Sequence, residues 1–398
     1  MVHVSDSLSL IEDSRKQPVL PTSVIVKSAF TMFLGRLGSL NALEQLRTRS
    51  SYLFEFLGAA LPSADTIGRV FSMIDPGTIR NANRKIYSDL KRNKCLEMPE
   101  YGLIAVNFDG HETHNTYKQH CDGCLERTIN KGKDNEVIQY YHRHVTAQLV
   151  FRNFSMLLDA EPQLPGEDEV ACAIRLFERI IVDYPRAFDV VAADALYAKS
   201  NFFNVVLLYK KDAIAVLKDD RRDLLKDADG MFAGKMPNCN FTTSSGTKIE
   251  CWDADGFQTW PKVQGNIRVV RTRETKKPFR RHLDGEFQQP PITSWTWVTT
   301  LSPMRARTHA VVEIGHNRWN IENNGFNESV NHYFSDHVYK HEPTAMLNFW
   351  LLCMMAFNIF HCFYLRNLKP VIRKRFTMLH ISRELQAELY CSPVQNPP

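Results

Sequence analysis

The spacing of apolar and polar positions divides the chain into stretches of different rhythm. From Val24 to about Leu96 apolar residues recur at helical spacing, with few β-branched runs. Two helix starts stand out there. In Pro62-Ser63-Ala64-Asp65 the serine sits where an N-cap is wanted, and Asp75-Pro76 places a capping aspartate before a proline. From Leu103 the rhythm shortens. Leu103–Phe108, Tyr140–Phe151 and Ser155–Asp159 read as strands, rich in β-branched and aromatic residues. Glu167–Tyr184 returns to helical spacing through Val170, Ile174, Phe177 and Ile181. Phe188–Ala193 then reads as a buried strand, Lys199–Tyr209 as a helix and Ala213–Leu217 as a strand. Between Asp219 and Pro303, strand-like Thr247–Trp252, Asn266–Arg273 and Ser294–Leu301 are separated by turn-rich segments. From Val311 to about Leu365 the pattern is helical again. Residues 1–20 are polar without a clear period, and the tail from Arg366 is basic and then proline-rich.

Three strands, a helix, a strand, a helix and a strand is the element order of a ribonuclease-H-like domain. Such a sheet joins antiparallel strands to parallel ones connected by helical crossovers. The expected fold is therefore mixed α/β. A helical N-terminal region (1–98) precedes a ribonuclease-H-like catalytic core (99–218 and 304–340). A β-rich insertion (219–303) interrupts that core, and a helical C-terminal region with a tail (341–398) follows.

A length of 398 residues can bury cores of this number, and 44% apolar with 23% charged residues is ordinary globular composition. The net charge of +5 permits a polyanionic partner without arguing for one. The N-terminus lacks the pattern of a secretion signal. Nine cysteines, an odd number and mostly scattered, then suggest reduced thiols and a cytoplasmic protein, associated with the nucleoid when bound to DNA. The most apolar stretch, Met346–Leu365, carries Asn348, Asn358 and His361. Polar groups are costly in hydrocarbon, so it is expected to be a buried helix and not a membrane span.

The candidate chemistry lies in three acidic residues. Asp109 ends the first strand, Asp194 ends the strand after the first crossover helix, and Glu322 lies on the helix after the insertion. Neighbouring parallel strands would bring the two aspartates to one sheet edge, where Glu322 could join them around Mg²⁺ or Mn²⁺. Hard cations of this kind take oxygen ligands, and a pair of them can activate a hydroxyl and stabilise a leaving phosphodiester oxygen. An Asp at a strand end is by itself often only a turn residue; the order of the three carries the signal.

Three motifs sharpen it: Asn107-Phe-Asp-Gly110, Ala193-Asp-Ala-Leu-Tyr197 and Arg318-Trp-Asn-Ile-Glu-Asn-Asn-Gly-Phe-Asn327. With these motifs the chain, from about Pro62 to Phe363, resembles the DDE transposases of bacterial insertion sequences, in the branch with a β-rich insertion before the last acidic residue. The resemblance implies that Asp109, Asp194 and Glu322 form the catalytic metal triad. It implies that Arg318, four residues before the Glu, contacts DNA phosphate, with Trp319 beside it. It also implies strand cleavage and transfer, with the element's terminal inverted repeats and target DNA as partners of a homodimer. Two positions depart from that family: Gly315 stands where a tyrosine is usual, and Ser329 or Val330 where a lysine is expected. A transposase-derived DNA-binding protein that no longer cleaves, and a nuclease with the same triad, are the other readings.

Further candidates are basic or sulfur-bearing. Arg268, Arg271, Arg273, Lys276 and Lys277 lie among Trp252, Trp260, Trp295 and Trp297, a mixture that suits phosphate contact and base stacking. A small sandwich with a tryptophan core explains the same pattern. Arg80, Arg84, Lys85, Lys91, Arg92 and Lys94 form a second basic segment, for phosphate or simply a solvated helix face. Cys121 and Cys124, with His142 about twenty residues on, have the spacing of a structural zinc site whose fourth ligand is His144 or His120. Related transposases look similar here. His111 and His114 lie next to Asp109 and are candidates near the catalytic metals.

Overall fold

The computed structural model describes residues 3–48, 51–118, 120–218, 222–278, 288 and 290–390. The Pro-rich end of the tail lies outside them. The fold is mixed α/β with a mixed sheet. The helices before the sheet are α1 (Val4–Leu8), α2 (Thr22–Leu34), α3 (Leu40–Glu44), α4 (Ser51–Leu57), α5 (Ala64–Phe71) and α6 (Pro76–Arg92). Strands β1 (Ala105–Thr116), β2 (Leu125–Ile129), β3 (Val137–Val150) and β4 (Ser155–Pro162) follow, then α7 (Glu169–Asp183). Next come β5 (Val190–Ala193), α8 (Ser200–Leu208), β6 (Asp212–Val216) and α9 (Arg222–Phe232). The stretch expected as an insertion continues with β7 (Cys239–Thr242), β8 (Lys248–Asp255), β9 (Arg268–Thr275) and β10 (Thr293–Thr299). Helix α10 (Thr308–Asn317), a π-helical turn (Ile321–Phe326), α11 (Asn327–Tyr333), α12 (Pro343–Arg366), α13 (Pro370–Arg375) and α14 (Met378–Tyr390) complete the chain.

Two compact units divide these elements. The first holds Met1–Met98, Asp109–Pro185 and Asn320–Pro398; the second holds Pro99–Phe108 and Arg186–Trp319.

In the first unit α12 is the central helix, apolar around its whole circumference, as a helix buried on all sides must be. It is long and apolar enough to cross a membrane, and 72% of its most apolar window is buried inside the protein. Its polar residues are bonded to protein groups. Asn348 donates to the carbonyls of Phe71 (2.8 Å) and Ile74 (2.9 Å). Asn358 donates to Leu157 O (2.7 Å) and accepts from Leu157 N (2.9 Å). The two expected helix starts are real caps: Ser63 Oγ accepts from Thr66 N, and Asp75 Oδ1 accepts from Gly77 N. Strands β2, β3 and β4 pair antiparallel, with a bulge in β3 between Ala147 and Gln148. The strand β2 escaped the sequence pattern because its half-buried central residue is Arg127, which breaks the apolar alternation between Leu125 and Ile129.

Carboxylates engage four of the basic residues of the α6 segment, while Lys91, Arg92 and Lys94 at its end are exposed. Arg80 pairs with Asp159 (2.9 Å), Arg84 with Asp183 (2.8 Å), and Lys85 (2.9 Å) and Arg92 (2.7 Å) with Asp89. Behind Arg80, Arg175 and Arg179 also engage Glu161, and Arg179 reaches Asp159.

In the second unit β1, β5 and β6 run parallel, with Ala105 opposite Val190, Val106 opposite Val191 and Asn107 opposite Ala192. Strand β10 pairs antiparallel with β6, and β9, β8 and β7 follow in turn. The insertion strands thus extend this sheet instead of closing a separate sandwich, and α9 adds a helix to a stretch expected to be β-rich. Trp297, 1% exposed, lies in the core with Val216, Ile249, Val270, Val311 and Ile314. The α10 backbone crosses its indole so closely that a Cβ on Gly315 would lie 2.5 Å from Trp297 Cε2. A tyrosine has no room there. Gly315→Tyr is expected to cost at least about 1–3 kcal/mol, the usual cost of overpacking, read as a lower urea midpoint; an unchanged midpoint would show that the indole can move aside.

Candidate metal centre and functional residues

Local pairing builds the centre. After β1 the chain turns through Cys121-Asp122-Gly123-Cys124, with Cys124 N donating to Cys121 O at 3.0 Å. Leu125 then pairs with Tyr141 across β2 and β3, which sets Cys124 beside His142. The fourth group comes from far along the chain. His341 directly precedes Glu342, the N-cap of α12, whose carboxylate accepts from Thr344 N and Ala345 N. The knuckle closes on this helix start: a Cβ on Gly123 would lie 2.8 Å from Pro343 Cγ.

One ligand atom from each of Cys121, Cys124, His142 and His341 lies within 4.8 Å of the others, so the group could hold a metal ion. The Sγ–Sγ distance is 3.8 Å, too long for a disulfide. Both sulfurs lie 3.3 Å from His142 Nε2, and Cys124 Sγ lies 3.6 Å from His341 Nε2. A tetrahedral ion with bonds of about 2.3 Å to sulfur and 2.0 Å to nitrogen would set S–S near roughly 3.8 Å and S–N near roughly 3.6 Å. Cys121, Cys124 and His142 already stand close to that spacing, and His341 lies near it from Cys124.

The protonation of the two histidines favours the same use. Burial, reinforced by His341 and His114, pushes His142 down to about 4, so its imidazole is neutral at physiological pH, the form a metal requires. Burial likewise lowers His341. Burial pushes the Cys121 thiol up to about 11, while the N–H groups of Gly123 and Cys124 act in the opposite direction by favouring its thiolate. A bound cation would have to displace the thiol protons.

His144, expected as a fourth ligand, is not part of the group. It is 3% exposed and lines a small cavity with Phe33, Thr113 and Trp350. His120, the other expected choice, stacks on Tyr140 with ring centroids 4.5 Å apart. His341 lies 217 residues from Cys124, and no spacing rule connects them.

The acidic residues occupy distinct local settings. Asp109 lies half-buried on β1, its Oδ1 accepting from Gly110 N at 2.9 Å. A Cβ on Gly110 would meet the Glu169 carboxyl at 2.5 Å, so a larger residue there would displace that side chain. Asp194 follows β5 and caps a short turn, accepting from Leu196 N at 2.8 Å. Glu322 lies half-buried on the π-helical turn. Asp109 and Glu322 belong to the first unit and Asp194 to the second. His111 packs into the first unit, stacked on Phe326 at 4.5 Å, and burial lowers its pKa. His114 lies edge-on to His341 at 4.9 Å.

The basic candidates divide sharply. Arg268 is 1% exposed and is held by Asp253, so it faces the core and cannot reach a phosphate. Arg271 pairs with Asp229 and Arg273 with Glu250. Arg273, Lys276 and Lys277 are exposed. Arg318 is 4% exposed, its guanidinium 4.8 Å from the centre of the Trp319 ring, and Trp319 is 38% exposed. Ser329 is fully buried and Val330 half-buried.

No family model matches the chain, and no curated protein sequence matches it either.

Proposed function

We propose that the chain is a DDE transposase that cleaves DNA at the ends of an insertion sequence and joins the freed 3′-hydroxyl to target DNA. One observation carries the reading. Asp109 and Asp194 are separated in sequence by the same number of residues as Ala105 and Val190, Val106 and Val191, and Asn107 and Ala192, the registered pairs of β1 and β5. Parallel β1, β5 and β6 with helical crossovers, beside antiparallel β2, β3 and β4, support a ribonuclease-H-like core. Glu322 sits on a π-helical turn, a distortion frequent at functional sites.

Asp109, Asp194 and Glu322 would hold Mg²⁺ or Mn²⁺, whose oxygen preference suits three carboxylates. When bound, the ions activate the attacking hydroxyl and stabilise the leaving oxygen. The partner is DNA, both terminal repeats and target, and the working form a homodimer on that DNA. At the separate cysteine–histidine group we assign zinc in a closed structural role, tying the β1–β2 loop to β3 and the start of α12.

The test is cleavage of duplexes carrying the DNA that flanks the protein's own reading frame. Cutting should require Mg²⁺ or Mn²⁺ and fall about 1,000-fold in Glu322→Gln, the rate equivalent of losing several kcal/mol of metal-assisted stabilisation. Undiminished cutting by Glu322→Gln would sink the assignment. Buried Ser329, where a lysine is usual, favours a second reading: a DNA-binding relative that has stopped cleaving. It predicts salt-sensitive binding to the same duplexes with no product.

A further inference from the structure

One helix face next to Glu322 carries an unusual row. Asn323, Asn327 and Asn331 recur every four residues, all exposed, on the π-helical turn and α11. Asparagine is among the poorer helix formers because its amide competes with the backbone for hydrogen bonds. None of these three amides has a hydrogen-bond partner among the described residues. The helix therefore bears three unfavourable residues on one face with no compensating internal contact.

That face lines a groove of about 360 Å³ within the first unit. Met378 and Leu379, at the start of α14, give the groove an apolar wall. Arg36 also lines it; the residue is 8% exposed, and its buried Nε has no hydrogen-bond partner among the described residues. Glu328 lies 3.6 Å from the same guanidinium, so the floor is polar and close to charge-balanced, a poor seat for a phosphate. Just before the groove wall, α13 ends in Arg373, Lys374 and Arg375, the last two exposed.

These features specify a ligand chemistry. Amides that offer a donor and an acceptor side by side match the edge of a nucleobase, most fully that of adenine. An apolar wall accepts the face of a base, and flanking cations follow a phosphate backbone. The volume lies in the range of small-ligand sites. The geometry points to a groove that takes an unpaired nucleotide of the DNA strand, reading its base with Asn327 and Asn331 while α13 carries the adjoining phosphates. The inference rests on the proposed function for the identity of the strand as substrate, and gives the residues after Glu322 the role of holding that strand.

The experiment measures fluorescence anisotropy of labelled single-stranded pentadeoxyadenylate with the full chain and with an Asn327→Ala/Asn331→Ala double variant. Both substitutions raise helix propensity on an exposed face, so the variant should melt no lower than the parent. The parent should bind, and the variant should bind at least about tenfold more weakly, the loss of one good base contact. Affinity within twofold of the parent, or no binding by the parent, overturns the groove. Magnesium-dependent duplex cleavage, run in parallel, separates the two claims. Cleavage with unchanged oligonucleotide affinity removes the groove and leaves the transposase. Oligonucleotide binding lost only in the variant, with no cleavage by the parent, removes the transposase and leaves the groove.

Discussion

Arg268→Ala is expected to destabilise the second unit by about 3–5 kcal/mol, the range for removing one partner of a buried ion pair. Arg268 donates from Nε (2.8 Å) and Nη2 (2.5 Å) to Asp253. Its Nη1 donates to the carbonyls of Leu301 (3.2 Å) and Ala306 (2.6 Å), which closes the loop before α10. Asp253 also accepts from Thr308 Oγ1 at 2.6 Å. Truncation strands a carboxylate and two carbonyls at once, and an unsatisfied buried group costs more than a made hydrogen bond returns. Urea unfolding of Arg268→Ala, Asp253→Ala and the double variant should give a double variant milder than the sum of the singles. A loss below about 1 kcal/mol in Arg268→Ala would contradict the burial argument. Under the proposed function, any accompanying fall in DNA binding should track the unfolded fraction, since this guanidinium presents no charge to solvent.

The second large effect is at the cysteine–histidine group. Purified protein should carry one zinc per chain by elemental analysis, and Cys124→Ser and His341→Ala should lose it while His144→Ala keeps it. Where free zinc exceeds its dissociation constant a thousandfold, binding stabilises by about 4 kcal/mol. For a unit of this size that is roughly 8–16 °C in Tm. Chelation should lower the melting temperature by that order, and acid should release the metal because protons compete for the thiolates. A zinc-free protein with chelator-insensitive melting would remove the centre.

What could be read from the chain was what depends on neighbours in sequence. The caps at Ser63 and Asp75 were legible because an N-cap needs only its own turn. The burial of α12 was legible because Asn348 and Asn358 within an apolar run demand protein partners. Cys121, Cys124 and His142 were legible because a two-residue gap and a hairpin return bring them together. His341 was not, since its place depends on where α12 begins against the knuckle. The arginines of α6 and β9 left two readings open for a related reason: a basic residue looks alike whether it meets solvent or a carboxylate distant in sequence. Gly315 looked like a missing tyrosine until Trp297 was found beneath it.

The side chains around β4 have a consequence for how copies of this protein meet. Asn83 donates to the carbonyls of Leu157 and Leu158, Asn358 takes both backbone groups of Leu157, and Arg80 donates to Ala160 O. Arg175 does the same for Pro162 O. An outer strand normally offers a row of open backbone groups, a template on which another chain can add a strand. Along β4 that template is already occupied by amides and guanidiniums from α6, α7 and α12. Sheet extension by a second chain is closed at this border, because the backbone groups it would need already have partners within the chain.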